Sequence, residues 1–123
     1  MKCSYCGSPL NIPYDKDFEK RTKIFEEIAA ERKQQDKSGG EQDYPMVAFN
    51  SAQEYFKQEL PVLKELNRTE GYKSWFTILN EKKFEAFAET DPVKQREKMI
   101  KACAVNVQIV EYLDRQIKGS KDV

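Results

Sequence analysis

The segment between Pro92 and Gly119 constrains the fold more than any other part of this chain. It begins at Thr90-Asp91-Pro92, a typical helix start, because a capping residue precedes a proline at the first helical position. Gly119 is a natural helix stop, since glycine readily adopts the left-handed conformation that ends many helices. The two signals predict a helix of about 27 residues, roughly 40 Å long at a rise of about 1.5 Å per residue.

Apolar residues recur along this segment at alternating steps of three and four, which is the spacing of one helix face. Only Asp114 interrupts the stripe, whose width predicts that the helix packs against more than one neighbour. Cys103 belongs to the stripe and is predicted to be a small buried side chain rather than a nucleophile, since the chain has no histidine to activate it. The stripe comprises Ile100, Cys103, Val107, Val110 and Ile117, widened by Met99, Ile109 and Leu113.

An earlier segment predicts a first helix over residues 15–35. Asp15 or Asp17 is its candidate N-cap, and apolar residues then recur at helical spacing among positions that are nearly all charged. Residues 36–43 contain no apolar side chain and hold a glycine pair, so residues 36–44 are predicted to form a flexible loop. The apolar residues of the first helix are Phe18, Ile24, Phe25, Ile28 and Ala29.

Further helical segments are predicted between this loop and the long helix. Ser51 and Glu54 have the spacing of a capping box, in which each side chain accepts from the backbone N–H of the other residue. Pro61 predicts either a break or kink near Leu60 or the first residue of a new helix. Thr69 is the candidate cap of the next segment, where the aromatic mass of the core is concentrated. The apolar faces comprise Tyr55, Phe56, Leu60, Leu63 and Leu66, followed by Tyr72, Trp75, Phe76, Leu79, Phe84 and Phe87.

Length and composition indicate one mainly α domain. A chain of 123 residues can bury a real core, and 34% charged residues suit helices with solvated outer faces. We therefore expect a small domain of four to five helices, with the long C-terminal helix as its spine and an irregular N-terminal arm. The predicted organisation is the arm over residues 1–14, the first helix over 15–35, the loop over 36–44, a helical body over 45–119 and a tail over 120–123.

Charge and apolar patterning disfavour several classes of protein. Lys plus Arg equals Asp plus Glu at 21 each, and positive and negative residues are interspersed along the chain. Both features argue against nucleic-acid binding that is mainly electrostatic. The sequence has no apolar run of membrane-spanning length and no signal-peptide pattern. We therefore expect a cytoplasmic protein without a membrane partner, whose three cysteines stay thiols or metal ligands rather than forming disulfides.

The arm carries a motif that is typical of metal binding. Cys3-Ser4-Tyr5-Cys6-Gly7 holds two thiolates on one side of a tight bend, and the glycine relieves the strain of the turn. Residues 2–10 resemble the first knuckle of a zinc ribbon. The resemblance implies zinc as a cofactor, with Cys3 and Cys6 as metal ligands, and it is confined to this short stretch.

The chain supplies no second knuckle, because it contains no histidine and only one further cysteine. Structural zinc requires four ligands, so three ways of completing the site stay open. Cys103 can contribute together with Asp15 or Asp17, a second copy can contribute its own Cys3 and Cys6, or a partner protein can supply the missing ligands. The alternative is a surface turn without metal.

No set of residues in the sequence predicts catalysis. The lack of histidine excludes Ser–His and Cys–His pairs, adjacent carboxylates diverge on a helix, and no glycine-rich phosphate loop is present. Thiol redox activity is the enzymatic alternative, and the position of the cysteine pair outside a strand–helix junction disfavours it. We therefore expect a non-enzymatic interaction module of the regulator, adaptor or inhibitor type that binds a protein partner or its own copy. The compact, charge-balanced chain is of a kind found in phages and mobile elements, so we expect such an origin.

The alternative function is a zinc-knuckle accessory protein that binds nucleic acid. Tyr5, Tyr14 and Tyr44 lie in segments predicted to be non-helical, with lysines scattered nearby, where aromatic rings can stack on bases. These three tyrosines are therefore candidate interaction residues. The hypothesis predicts salt-sensitive binding to single strands, because phosphate attraction is strongest at low salt.

Overall fold

The computed structural model of the protein describes residues 16–121, and the regular elements in that range are four helices. They are α1 (Lys16–Gly39), α2 (Asn50–Arg68), α3 (Trp75–Ala88) and α4 (Pro92–Lys121). α2 packs against α3, and α3 packs against α4, while α1 contacts α4 and no other helix of the described range. The predicted mainly α fold with a long C-terminal helix is confirmed. The predicted arm over residues 1–14 lies outside the described residues.

The contact between α2 and α3 is built from aromatic rings. Phe56 of α2 has its ring centroid 4.9 Å from that of Phe84 and 5.5 Å from that of Phe87, and Tyr55 extends the cluster. Such pairs contribute about 0.5–1.5 kcal/mol each beyond the burial of their area. Leu63, two turns further along α2, is buried. Phe84 and Phe87, which were predicted to belong to an aromatic core, thus lie in an aromatic cluster in which both are half-buried.

Small side chains are buried on both α3 and α4. Ala86 of α3 and Ala102 of α4 are almost completely covered. The rings of Trp75 and Tyr112 lie 6.1 Å apart, and the side-chain amide of Gln95 donates to the Ala86 carbonyl at 3.0 Å. α4 therefore packs against α3 and contacts α1, whereas α2 packs against α3 and not against α4, the predicted spine.

The buried face of α4 differs from the predicted apolar stripe. Ala102 and Val105 are buried, whereas Ile100 and Cys103, both assigned to the stripe, are exposed. Successive helix positions diverge by about 100°, so covering the face of Ala102 leaves its neighbours uncovered. Val107 is buried as predicted. The prediction that Cys103 is a buried side chain is therefore wrong.

The other predicted apolar faces also contain exposed side chains. In α3, Phe76 is 74% exposed, and the adjacent Thr77 is the buried residue. The Thr77 carbonyl accepts from Asn67 Nδ2 at 3.2 Å, which links α2 to α3. The remaining exposed members of the predicted faces are Phe18, Phe25, Ile28, Ala29, Tyr55, Tyr72, Leu113 and Ile117.

The ends and the interior of α2 differ from their prediction. Phe49 is the N-cap and makes no side-chain capping bond, so Ser51 already lies within the helix and the predicted capping box with Glu54 does not form. Pro61 lies inside α2, which continues to Arg68, so the predicted break is wrong. Thr69 ends α2 rather than capping the next helix.

A capping box forms instead at the start of α3. Ser74 Oγ accepts from the Thr77 N–H at 3.1 Å, and Thr77 Oγ1 accepts from the Ser74 N–H at 2.9 Å. The usual sequence pattern has Glu or Gln in the place of Thr77. The sequence pattern therefore does not predict this box.

α1 extends to Gly39, beyond its predicted end near Gln35. Residues 36–39 of the predicted loop over 36–44 are therefore helical, and the connection begins at Gly40. Arg32 pairs with Asp36 at 2.7 Å across one turn, which supports the added residues. Gly40 ends the helix with a positive φ of 62°, and its N–H donates to the Asp36 carbonyl at 2.9 Å. This arrangement is the left-handed termination that glycine favours.

α4 begins as predicted and ends later than predicted. Asp91 Oδ2 accepts from the Lys94 N–H at 3.3 Å, and Pro92 is the first helical residue. Gly119 does not stop the helix, which includes Lys121. A helical glycine costs only about 1 kcal/mol relative to alanine, which is too little to end a long helix by itself.

Candidate interaction groove between α1 and α4

α1 is a long helix whose apolar face is mostly uncovered. Of its described side chains, Ile24 alone is buried, at 3% exposure, while Phe18, Phe25 and Ile28 are 62%, 54% and 46% exposed. Charged residues occupy most of the remaining surface, which is typical of a helix that packs through one stripe. α4 therefore covers only part of the apolar surface that α1 presents.

A groove of about 710 Å³ lies between α1 and α4. Phe25 and Ile28 form its α1 wall, and Ile100, Cys103 and Val107 lie on its α4 wall. Ile100 is 54% exposed and Cys103 is also exposed, so the groove is open to solvent. The other lining residues are Arg21, Ala104, Asn106, Gln108 and Glu111.

One ion pair bridges the two helices at the groove. Arg21 Nε lies 3.3 Å from Glu111 Oε1, with the Arg21 side chain about half exposed and that of Glu111 mostly covered. An exposed pair of this kind contributes about 0–1 kcal/mol, so it fixes the register of α1 on α4 more than it holds the helices together. The two charges of the lining thus neutralise each other, and the rest of the lining is apolar or neutral. Such a surface suits the apolar side chains of a protein.

The residues predicted from the sequence to form a site lie elsewhere. Tyr44 is 77% exposed in the connection between α1 and α2. Cys3, Cys6, Tyr5 and Tyr14 lie outside the described residues. Within the described part of the chain, no three His, Cys, Asp or Glu side chains are grouped as a metal site requires. The zinc site and the tyrosine contacts therefore stay predictions.

The groove is a feature that the sequence pattern misses. The pattern assigns Phe25, Ile28, Ile100 and Cys103 to buried helix faces, and the structure places them around an open groove instead. The available signal is the wide stripe of α4, which indicates more than one packing partner. That width does not indicate which side chains α1 leaves uncovered.

A second cleft, of about 1070 Å³, lies at the C-terminal end of α1. Arg32, Asp36 and Asp43 line it, together with glycine backbone and the side chains of neighbouring polar residues. Arg32 is already paired with Asp36 at 2.7 Å. This cleft is polar and wide open, so it offers no apolar surface comparable to the groove.

No family model, curated protein or solved structure matches this chain. None of the helices that the structure describes is both long enough and apolar enough to cross a membrane. The groove and the helix faces around it therefore carry the functional evidence.

Proposed function

We propose that the protein is a non-enzymatic helical interaction module that binds apolar protein surface in the groove between α1 and α4. The observation that carries the proposal is the state of α1, a 24-residue helix with Ile24 buried and three large apolar side chains left exposed. Contiguous exposed apolar surface of this kind is typical of protein-binding sites. The bound surface would be that of another protein or of a second copy of the chain.

The energetics of α1 favour this function. Most helical stability in proteins comes from the packing of an apolar face rather than from the helix propensity of the residues. Burying a Phe or Ile side chain completely contributes about 1.5–3 kcal/mol, so covering the half-exposed Phe25 and Ile28 would contribute roughly half of that for each. A partner in the groove would therefore stabilise α1 while gaining affinity from the same contacts.

The titratable groups of the described residues also favour binding over catalysis. Glu89 has its pKa lowered to about 2, first by its hydrogen bond to Lys98 and then by backbone N–H donors, which is a structural arrangement at the turn between α3 and α4. In the groove, Glu111 is engaged by Arg21. Cys103 has no histidine to activate it, because the chain contains none.

The proposed function is tested with tagged wild-type protein and two variants. Phe25→Glu places a charge in the groove, whereas Phe76→Glu is a matched control, because Phe76 is exposed on α3 and does not line the groove. We expect wild type and Phe76→Glu to retain a differently tagged copy of the chain or a specific protein from the native extract, and Phe25→Glu to lose it. Circular dichroism checks that each variant folds. Equal retention by Phe25→Glu, or no retention by wild type, would contradict the proposal.

A further inference from the structure

The covered side chains of α1 are confined to the first half of the helix. Among its described side chains, Ile24 is buried and Thr22 is half-buried. Arg21 is paired with Glu111 of α4 at 3.3 Å. Every residue from 25 to 39 is exposed, and α4 is the only helix of the described range that α1 contacts. Docking of α1 therefore depends on a short stretch near its beginning.

Two different sides of α4 face α1 and α3. Lys98 and Tyr112 contact α3, and the buried Val105 lies between them in the row of three- and four-residue steps that joins them. Val107 is two positions further along, which is about 200° round the helix. It lies one turn before Glu111, the partner of α1, and on the α4 wall of the groove. Val105 is thus on the α3 side of α4, and Val107 is on the α1 side.

The connection between α1 and α2, residues 40–49, is irregular and open to solvent. Gly40 ends α1 with a positive φ of 62°. Between residues 41 and 49 all side chains are exposed except that of Val47, which is half-buried. Few buried contacts and a solvated backbone are the features of segments that open locally. α1 can therefore change its position without disturbing the packing of α2.

We infer that α1 is a hinged helix, which releases from α4 about residues 40–49 while α2, α3 and α4 stay packed. The consequence, which rests on the proposed function, concerns the groove, because one of its walls belongs to α1 and the other to α4. Release of α1 removes one wall. A partner therefore binds the docked form alone, and its apparent affinity falls in proportion to the docked fraction. Docking of α1 thus regulates the proposed binding site.

The ion pair between Arg21 and Glu111 makes this docking sensitive to salt. The Arg21 side chain is about half exposed, so dissolved ions reach the pair. The screening length shortens from about 10 Å at 0.1 M ionic strength to about 3 Å at 1 M. Salt therefore weakens the link between α1 and α4, whereas the apolar contacts among α2, α3 and α4 do not depend on screening.

The first test is native-state thiol labelling of the full chain with its three cysteines replaced by serine. Val107→Cys and Val105→Cys are a matched pair on this background, because both positions are buried on α4 and the side chains are similar in size. We expect Val107→Cys to label at least about tenfold faster than Val105→Cys, since release of α1 exposes position 107 and leaves position 105 covered. Circular dichroism checks that each variant folds.

Two results of the labelling would overturn the inference. Equal rates for Val107→Cys and Val105→Cys would show that both positions become accessible only when the whole protein unfolds. A rate for Val107→Cys as fast as that of the exposed Cys103 in wild type would show that α1 does not dock on α4 at all.

The second test keeps the native cysteines and reads the ion pair by backbone hydrogen exchange. In Glu111→Gln the amides around Ile24 should exchange about two- to fivefold faster, as expected for the loss of an exposed pair, while those around Ala86 of α3 stay unchanged. Glu54→Gln removes the exposed pair with Lys57 on α2 and is the control, which should leave α1 unchanged.

Salt should have the same effect on the wild-type protein. Raising it from about 0.05 M to about 1 M should accelerate exchange around Ile24, and Glu111→Gln should show no such acceleration, because the screened pair is already absent. Exchange around Ile24 that responds neither to Glu111→Gln nor to salt would overturn the regulation by this ion pair.

Failure of this inference is distinguishable from failure of the proposed function, because labelling and exchange need no partner. Equal labelling of Val105→Cys and Val107→Cys, with a protein still retained by wild type and lost by Phe25→Glu, overturns the hinge and keeps the interaction module. Faster labelling of Val107→Cys, with nothing retained by wild type, keeps the hinge and overturns the proposed function.

Discussion

Glu89 uses both carboxylate oxygens to join the end of α3 to the start of α4. Its Oε2 accepts from Lys98 Nζ at 2.6 Å, and its Oε1 accepts from the backbone N–H groups of Thr90 and Asp91 at 3.2 Å each. These contacts, with Lys98 the largest, lower the pKa of Glu89 from 4.5 to about 2. All of them favour the ionised form, so the contribution of Glu89 to stability requires a charged carboxylate.

Glu89→Gln should lower the midpoint of thermal unfolding at neutral pH and reduce its acid dependence. The pKa of Glu89 is lower in the folded protein than in the unfolded chain. Its contribution to stability is therefore fully present above about pH 4.5 and is lost as the pH falls towards 2. The gap between wild type and variant should therefore narrow over that range, as measured by thermal unfolding in a series of buffers. Glu97→Gln, at an exposed position of α4, serves as the control and should leave the midpoint nearly unchanged. A gap that is independent of pH would contradict the assignment.

Ser51 and Ser74 show at the scale of the helix how similar local patterns have different outcomes. Ser51 has the favourable sequence partner Glu54, yet α2 begins at Asn50 and Ser51 does not cap it. Ser74 lacks a Glu or Gln partner and nevertheless caps α3 together with Thr77. The N-cap backbone must be extended, and Ser74 has that conformation, with φ −147° and ψ 167°, whereas in α2 the extended residue is Phe49 and Ser51 already lies in the helix.

Ser74→Ala should destabilise the protein by about 1 kcal/mol, the usual cost of removing an N-cap side chain. Ser51→Ala should change the free energy of unfolding by only a few tenths of that, since Ser51 caps nothing. Urea unfolding at one fixed protein concentration measures both values. Equal losses for the two variants would show that the cap of α3 contributes nothing specific.

Helix existence is the part of the fold that the sequence predicts well. The start of α4 follows from Asp91 and Pro92, whose effects act within one turn and need no tertiary partner. Breaker residues are less informative, because Pro61 and Gly119 both lie inside helices. The energy that these residues cost is local, and the packing of the surrounding helix can offset it.

The assembly of helices is the level at which prediction from the sequence fails. Cys103 and Ala102 are both small residues of one apolar stretch, and only the packing of the other helices on α4 decides that Ala102 is covered and Cys103 is not. In α3, likewise, helix packing rather than the apolar pattern leaves Phe76 exposed and covers Thr77. The groove forms because apolar side chains stay uncovered on α1 and on α4 at the same place. The pattern of either helix alone therefore does not predict it.

The described fold thus combines a packed unit of α2, α3 and α4 with a loosely covered α1. Contacts between aromatic rings and small buried side chains hold α2, α3 and α4 together. The contacts of α1 include the buried Ile24 and the ion pair between Arg21 and Glu111. The central claim is that a second molecule covers the rest of α1. The stability of α1 should then depend on the concentration of that molecule, which is the concentration of the protein itself where the molecule is a second copy.

Backbone hydrogen exchange at two protein concentrations tests this claim most directly. We predict that the amides of α1 exchange more slowly at the higher concentration, while those of α3 around Ala86 change much less, because assembly adds contacts to α1 first. Phe25→Glu should remove the concentration dependence and leave the exchange of α3 as in wild type. Protection of α1 that is the same at both concentrations would contradict self-association through this helix, and protection that also stays the same with the protein retained from the native extract would contradict the account.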